Sequence, residues 1–123
     1  MTAHAKPDEA LDVMRLLSHL YLQYGRPDSA LALLRALCLL APDDRRAMRA
    51  LACAAIRAGQ PQEGERVVDL LRDAGDPSSI VHLLHGQALA AMGRRSEAEQ
   101  AFAEFARHRF AKAHTSTHAG ASQ

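Results

Sequence analysis

The chain has 123 residues, is 48% hydrophobic but only 4% aromatic, lacks Trp and carries a net charge of +1. That length is one domain's worth and can bury a core without disulfide staples. The near-neutral charge excludes a field strong enough to make nucleic acid or a membrane surface the main partner.

With so few aromatic residues, the core must be built from Leu, Ala, Val and Met, which favour helices over strands, so the expected fold class is all-α. The two cysteines, Cys38 and Cys53, lie inside apolar helical pattern without framework spacing, which fits a reducing compartment. Residues 1–9 are polar, with no apolar run behind a basic one, and no segment approaches the roughly 18 uninterrupted apolar residues of a membrane helix. The expectation is a soluble cytoplasmic protein without membrane insertion.

In chain order, residues 1–10 read as a lead-in and the first helix falls near 9–24. The stretch YGRPDSALALL, Tyr24 to Leu34, then both ends one helix and begins another. Gly25 supplies the positive φ of a helix C-terminus. Pro27 fits the first turn of the next helix, where its missing N–H costs nothing. The same arrangement returns in AGQPQEGERVV and MGRRSEAEQAF: Gly25, Gly59 and Gly93 are about 34 residues apart, and Pro61 repeats Pro27. Acidic or small polar residues follow each time (Asp28 and Ser29, Glu63, Ser96 and Glu97), as the positive end of a helix dipole prefers. Between the units, Pro42-Asp43-Asp44 and Pro77-Ser78 mark a second kind of break, with Asp44 and Ser78 as N-caps. Helices are therefore predicted near 9–24, 28–40, 44–58, 62–74, 78–92 and 95–110. Residues 113–123 have no apolar period and read as a disordered tail holding the solvated His114 and His118.

Two series of small residues keep the same step, Ser18, Ala52, Gly86 and Ala30, Gly64, Ala98. They fall where the two helices of each unit approach, and a bulky side chain there would push them apart. Large residues recur in register as well: Leu34, Val68 and Phe102; Leu37, Leu71 and Phe105; Leu17 with Leu51; Tyr21 with Leu89. These are the predicted core.

Over residues 11–112 this pattern resembles the tetratricopeptide repeat family, W-x2-L-G-x2-Y…A-x3-F…P. The first unit reads Met14, Leu17, Ser18, Tyr21, Ala30, Leu34, Pro42; the second reads Met48, Leu51, Ala52, Ala55, Gly64, Val68. The third has His82 and His85 at the Trp and Leu positions but keeps Gly86, Ala98 and Phe102. The resemblance implies three helical hairpins in a short right-handed solenoid whose first helices line a concave, partner-binding face. Carried over position by position, the groove residues are Arg15, His19, Leu22 and Gln23; Arg49, Cys53, Ile56 and Arg57; and Leu83, Gln87, Ala90 and Ala91. Such a groove is basic along the first two units and apolar along the third. It lacks the Lys and Asn with which chaperone grooves of this family grip a peptide carboxylate.

No nucleophile beside a base, paired carboxylates or phosphate loop is present, so no catalysis and no cofactor are expected. His82 and His85, at i and i+3, share a helix face and can supply two metal ligands, but no Cys or His cluster supplies the others, so no metal is expected. Cys53 reads as a small apolar helix residue rather than a reactive thiol.

Phe102, Phe105 and Phe110 stand at the end of the last unit with no polar capping helix after them, and an apolar edge of this kind invites a partner or a second copy. The stretch LLSHLYLQYGRPDSALALLRALCLLAPDD, residues 16–44, is similar to the opening repeat of the Y-type (SctY) chaperones of bacterial type III secretion. That likeness implies a cytoplasmic chaperone holding a small export substrate, the X-type protein, as a heterodimer and presenting it to the export gate. When alone it would self-associate. A generic scaffold module or homodimer unrelated to secretion is the second reading, and a histidine-based metal-responsive regulator the third.

Overall fold

A computed structural model describes residues 6–121 of the chain. Six helices follow one another: α1 Pro7–Gln23, α2 Pro27–Leu40, α3 Arg45–Arg57, α4 Pro61–Asp73, α5 Ile80–Ala91 and α6 Arg95–Ala121. They pair into three hairpins, α1/α2, α3/α4 and α5/α6, and the hairpins stack through α2 on α3 and α4 on α5. Among the described residues no strand occurs.

The breaks work as the residues predict. Gly25 has φ 74°, Gly59 80° and Gly93 78°, and after each the chain closes a six-to-one bond, Arg26 N–H to Tyr21 C=O, Gln60 to Ala55 and Arg94 to Leu89. Gly75, which the 34-residue step does not mark, does the same at φ 72° between α4 and α5, with Asp76 N–H reaching Leu71 C=O. Pro27 and Pro61 open α2 and α4. The Asp44 carboxylate caps α3 by accepting from Ala47 N–H at 2.9 Å. Ser78 acts two residues before the start of α5: its Oγ accepts from Ile80 N–H at 3.3 Å, and Ser79 already has helical φ and ψ.

Both series of small residues lie at the helix crossings. Ser18, Ala30, Ala52, Gly64, Gly86 and Ala98 are all buried. The buried Ser18 hydroxyl is satisfied by donating to Met14 C=O at 2.7 Å. The core runs continuously through Ala30, Leu34, Leu37, Leu51, Ala55, Val68, Leu71 and Leu84, with a smaller cluster of Leu89, Ala98 and Ala101 between α5 and α6.

Three expectations need correction. Helix α1 starts at Pro7, so residues 7–10 belong to the first helix rather than to a lead-in; Pro at the first position with Asp8 and Glu9 behind it is a helix-opening turn. Leu17 is not core: it is 40% exposed, whereas its repeat mate Leu51 is 8% exposed, because no preceding hairpin covers α1 among the described residues. Helical backbone also continues to Ala121, through most of the expected tail. The alanines from Ala106 on keep helix propensity high where the apolar period has ended, and no proline interrupts them.

Candidate functional site

The stack is not uniform along its concave side. Helices α3 and α5 pack on each other, but α1 stands away from α3. A cavity of about 390 Å³ opens between them. Its floor is the inner face of α2, Leu34 and Leu37, and its walls are Leu16, Ser18, His19 and Leu22 from α1 and Ala47 and Ala50 from α3, with Arg15, Asp44 and Arg46 at the rim.

Two arginines strap the separated helices together in opposite directions. Arg15 of α1 donates through Nε to Asp44 at 2.9 Å, also meeting Asp12 at 2.9 Å, and Arg57 of α3 donates to Leu22 C=O of α1 at 3.0 Å. Burial acts to raise the Asp44 pKa, but the hydrogen bonds from Ala47 N–H and Arg15 outweigh it and hold the carboxylate below its ordinary range. The charge of Arg15 is thus spent on the scaffold. Arg46 is exposed and makes no ion pair among the described residues, so it supplies the free positive charge at the rim.

The groove residues expected from the repeat divide accordingly. Arg15, His19 and Leu22 come together at the cavity, while Gln23 is exposed at the end of α1. Arg49 lies away from it, donating to Asp76 at 2.7 Å, and Ile56 turns into its own hairpin, its Cγ1 2.6 Å from where a Cβ on Gly64 would stand. Cys53 and Leu83 are half-buried, and Gln87, Ala90 and Ala91 are exposed. Sequence reasoning missed Leu16, Ala50 and Arg46 in the cavity. The position of Arg46 two residues after the cap Asp44 was the available signal.

At the far end, Phe102 is half-buried over Gly86, Phe105 is half-buried with the Arg109 guanidinium 5.8 Å from its ring centre, and Phe110 is exposed. Beside them His82 and His108 hold their rings 5.4 Å apart, and Arg72 donates to His85 Nδ1 at 3.3 Å. The pKa of His82 is lowered mainly by burial and then by the charge of His108; that of His85 is lowered by burial and then by Arg72. Burial likewise raises the Cys38 thiol. Among the described residues no group of three or more His, Cys, Asp or Glu is arranged to hold a metal, and no helix is long and apolar enough to cross a membrane.

Stacked helical hairpins with repeat-spaced glycine breaks and an open concave cavity define a helical-repeat protein built for contact with other proteins. Residues 21–88, more than half of the chain, match the tetratricopeptide repeat family. The chain belongs to that family. Among curated proteins no sequence matches the chain.

Proposed function

We propose that the chain is a non-catalytic binding protein that holds a helical segment of a partner in the cavity between α1 and α3. The observation that carries this reading is the combination of an apolar floor, Leu34 and Leu37, with a rim on which Arg46 makes no ion pair among the described residues. Such a site suits an amphipathic helix that inserts an apolar residue and carries acidic residues at its margin. On the likeness of residues 16–44 to the opening repeat of the Y-type secretion chaperones, the partner is a small export substrate of the X type, bound in the cytoplasm before delivery to the export gate.

Co-expression with such a substrate, followed by co-purification and calorimetry, tests both levels. The expected result is a soluble hetero-complex that His19→Glu with Arg46→Glu weakens, with the helical signal of the free chain unchanged; both residues lie at the surface of the cavity. Undiminished affinity in the double variant would remove the cavity as the grip. Failure of every X-type substrate to bind would remove the secretion reading.

A further inference from the structure

Among the described residues the interior helices of the stack are covered from both sides, whereas α1 and α6 each keep one side uncovered. On α1, Val13, Leu16 and Leu17 are 54%, 58% and 40% exposed, and with Leu20 they line one helix face at i, i+3, i+4 and i+7. One repeat further on, Ala47 is 5% exposed, and two repeats on, Val81 is 2% exposed. The difference lies in what packs there: α3 lies against α2, and α5 against α4. The bare face of α1 is therefore the surface on which the second helix of a preceding hairpin would lie. At the other end, Phe105 of α6 is half-buried, although its repeat mates Leu37 and Leu71 are fully buried beneath the following hairpin. No hairpin is described after α6.

The charges at these two ends are opposite. Behind the exposed cap residue Lys6, the start of α1 exposes the three acidic residues Asp8, Glu9 and Asp12, of which Asp12 meets Arg15; α6 beyond Phe105 exposes Arg107, paired with Glu104 in its own helix, and Arg109. Inside the stack, the end of each second helix adjoins the start of the next first helix, as Leu40 of α2 leads into Arg45 of α3. The register of Leu40 falls at His108 two repeats later, although α6 runs on past it, so the same placement puts the Arg107 and Arg109 region of one molecule beside Asp8 and Glu9 of another.

We propose that copies of this chain associate head to tail, α6 of one molecule lying on the Val13, Leu16 and Leu17 face of α1 of the next, and so continuing the hairpin stack across the junction. The contact is heterologous and its translation does not close, so assembly grows with concentration instead of stopping at a dimer. It shares Leu16 with the wall of the α1/α3 cavity but uses neither Arg46 nor the cavity floor, and it does not depend on an export substrate being held there.

Sedimentation velocity of the 123-residue chain, from micromolar to near-millimolar concentration, reads this directly. The parent should sediment faster as concentration rises, and added salt should reverse the effect by screening the acidic and basic ends. Val13→Gln with Leu17→Gln removes the α1 end, and Arg107→Glu with Arg109→Glu removes the α6 end; all four side chains are exposed, and circular dichroism verifies that each variant stays folded. Each variant alone should remain monomeric. Their equimolar mixture should give one-to-one dimers and nothing larger, because one intact end of each kind remains. A parent that is monomeric throughout, a mixture that stays monomeric, or an α6 variant that assembles like the parent would overturn the proposal, the last by pointing to pairing of α1 with α1.

Discussion

The ring of Phe102 occupies the space that a side chain on residue 86 would need: its Cδ1 and Cε1 lie 2.5 Å from the position of a Cβ built on Gly86. The glycine is buried on α5, and the ring crosses it from α6, so the two helices approach as closely as they do only because residue 86 has no side chain. Gly64 holds the same relation to Ile56 in the second hairpin.

Gly86→Leu should therefore lower stability by about 2 kcal/mol, within the usual range for overfilling a packed crossing. Phe102→Ala in the Gly86→Leu background should recover part of the loss, because removing the ring vacates the space; a thermal or urea melt of the four proteins in the cycle reads the coupling. A Gly86→Leu melt equal to that of the parent would show that the crossing is not tight.

Arg49 and Asp76 form the most enclosed ion pair of the molecule among the described residues, at 2.7 Å, and the Asp76 side chain is 2% exposed. Asp76 also accepts from Ser78 N–H at 3.2 Å, so it fixes the turn that leads into α5 while tying that turn to α3. Asp76→Ala should cost about 1–3 kcal/mol, since it leaves a partly buried guanidinium and a backbone N–H without their acceptor. Arg49→Glu should be worse than Arg49→Ala, because it sets two carboxylates against each other in a site with little water. Urea midpoints in the order parent, Arg49→Ala, Arg49→Glu are the expected result; equal midpoints for the two Arg49 variants would show that the pair carries no weight.

Stability should fall in mild acid, and the histidines fix the window. Both His82 and His85 titrate below 6.5 in the folded protein, because burial penalises their charged forms and positive neighbours, His108 and Arg72, add to the effect. Below about pH 6.5 the unfolded chain consequently binds protons that the folded chain refuses, and ΔG of unfolding declines as pH drops toward the folded values. Asp44 and Glu63, held below the ordinary carboxylate range, contribute a separate loss only at lower pH. A melting temperature that falls between pH 7.5 and 5.5, and falls less in His82→Gln with His85→Gln, is expected. A flat profile over that range would contradict the burial of the two rings.

The sequence by itself determined that there are six helices, the glycine breaks inside the three hairpins and the three crossings. Each of these depends on local stereochemistry or on a residue size that must recur: a glycine able to take φ near 75°, a proline at a helix start, a small residue wherever two helices touch. What it could not determine was the fate of residues that look alike from one repeat to the next. Leu17 and Leu51 occupy the same register, but only Leu51 has a helix lying over it, and Arg15, Arg49 and Arg57, which read together as a basic groove, are each taken up by a partner 27 to 35 residues away. Burial and ion pairing depend on what stands opposite, and in a stack of hairpins that depends on place in the stack rather than on the repeat. The cavity between α1 and α3 has the same origin, because α1 leans away at the end of the stack where α3 and α5 close together.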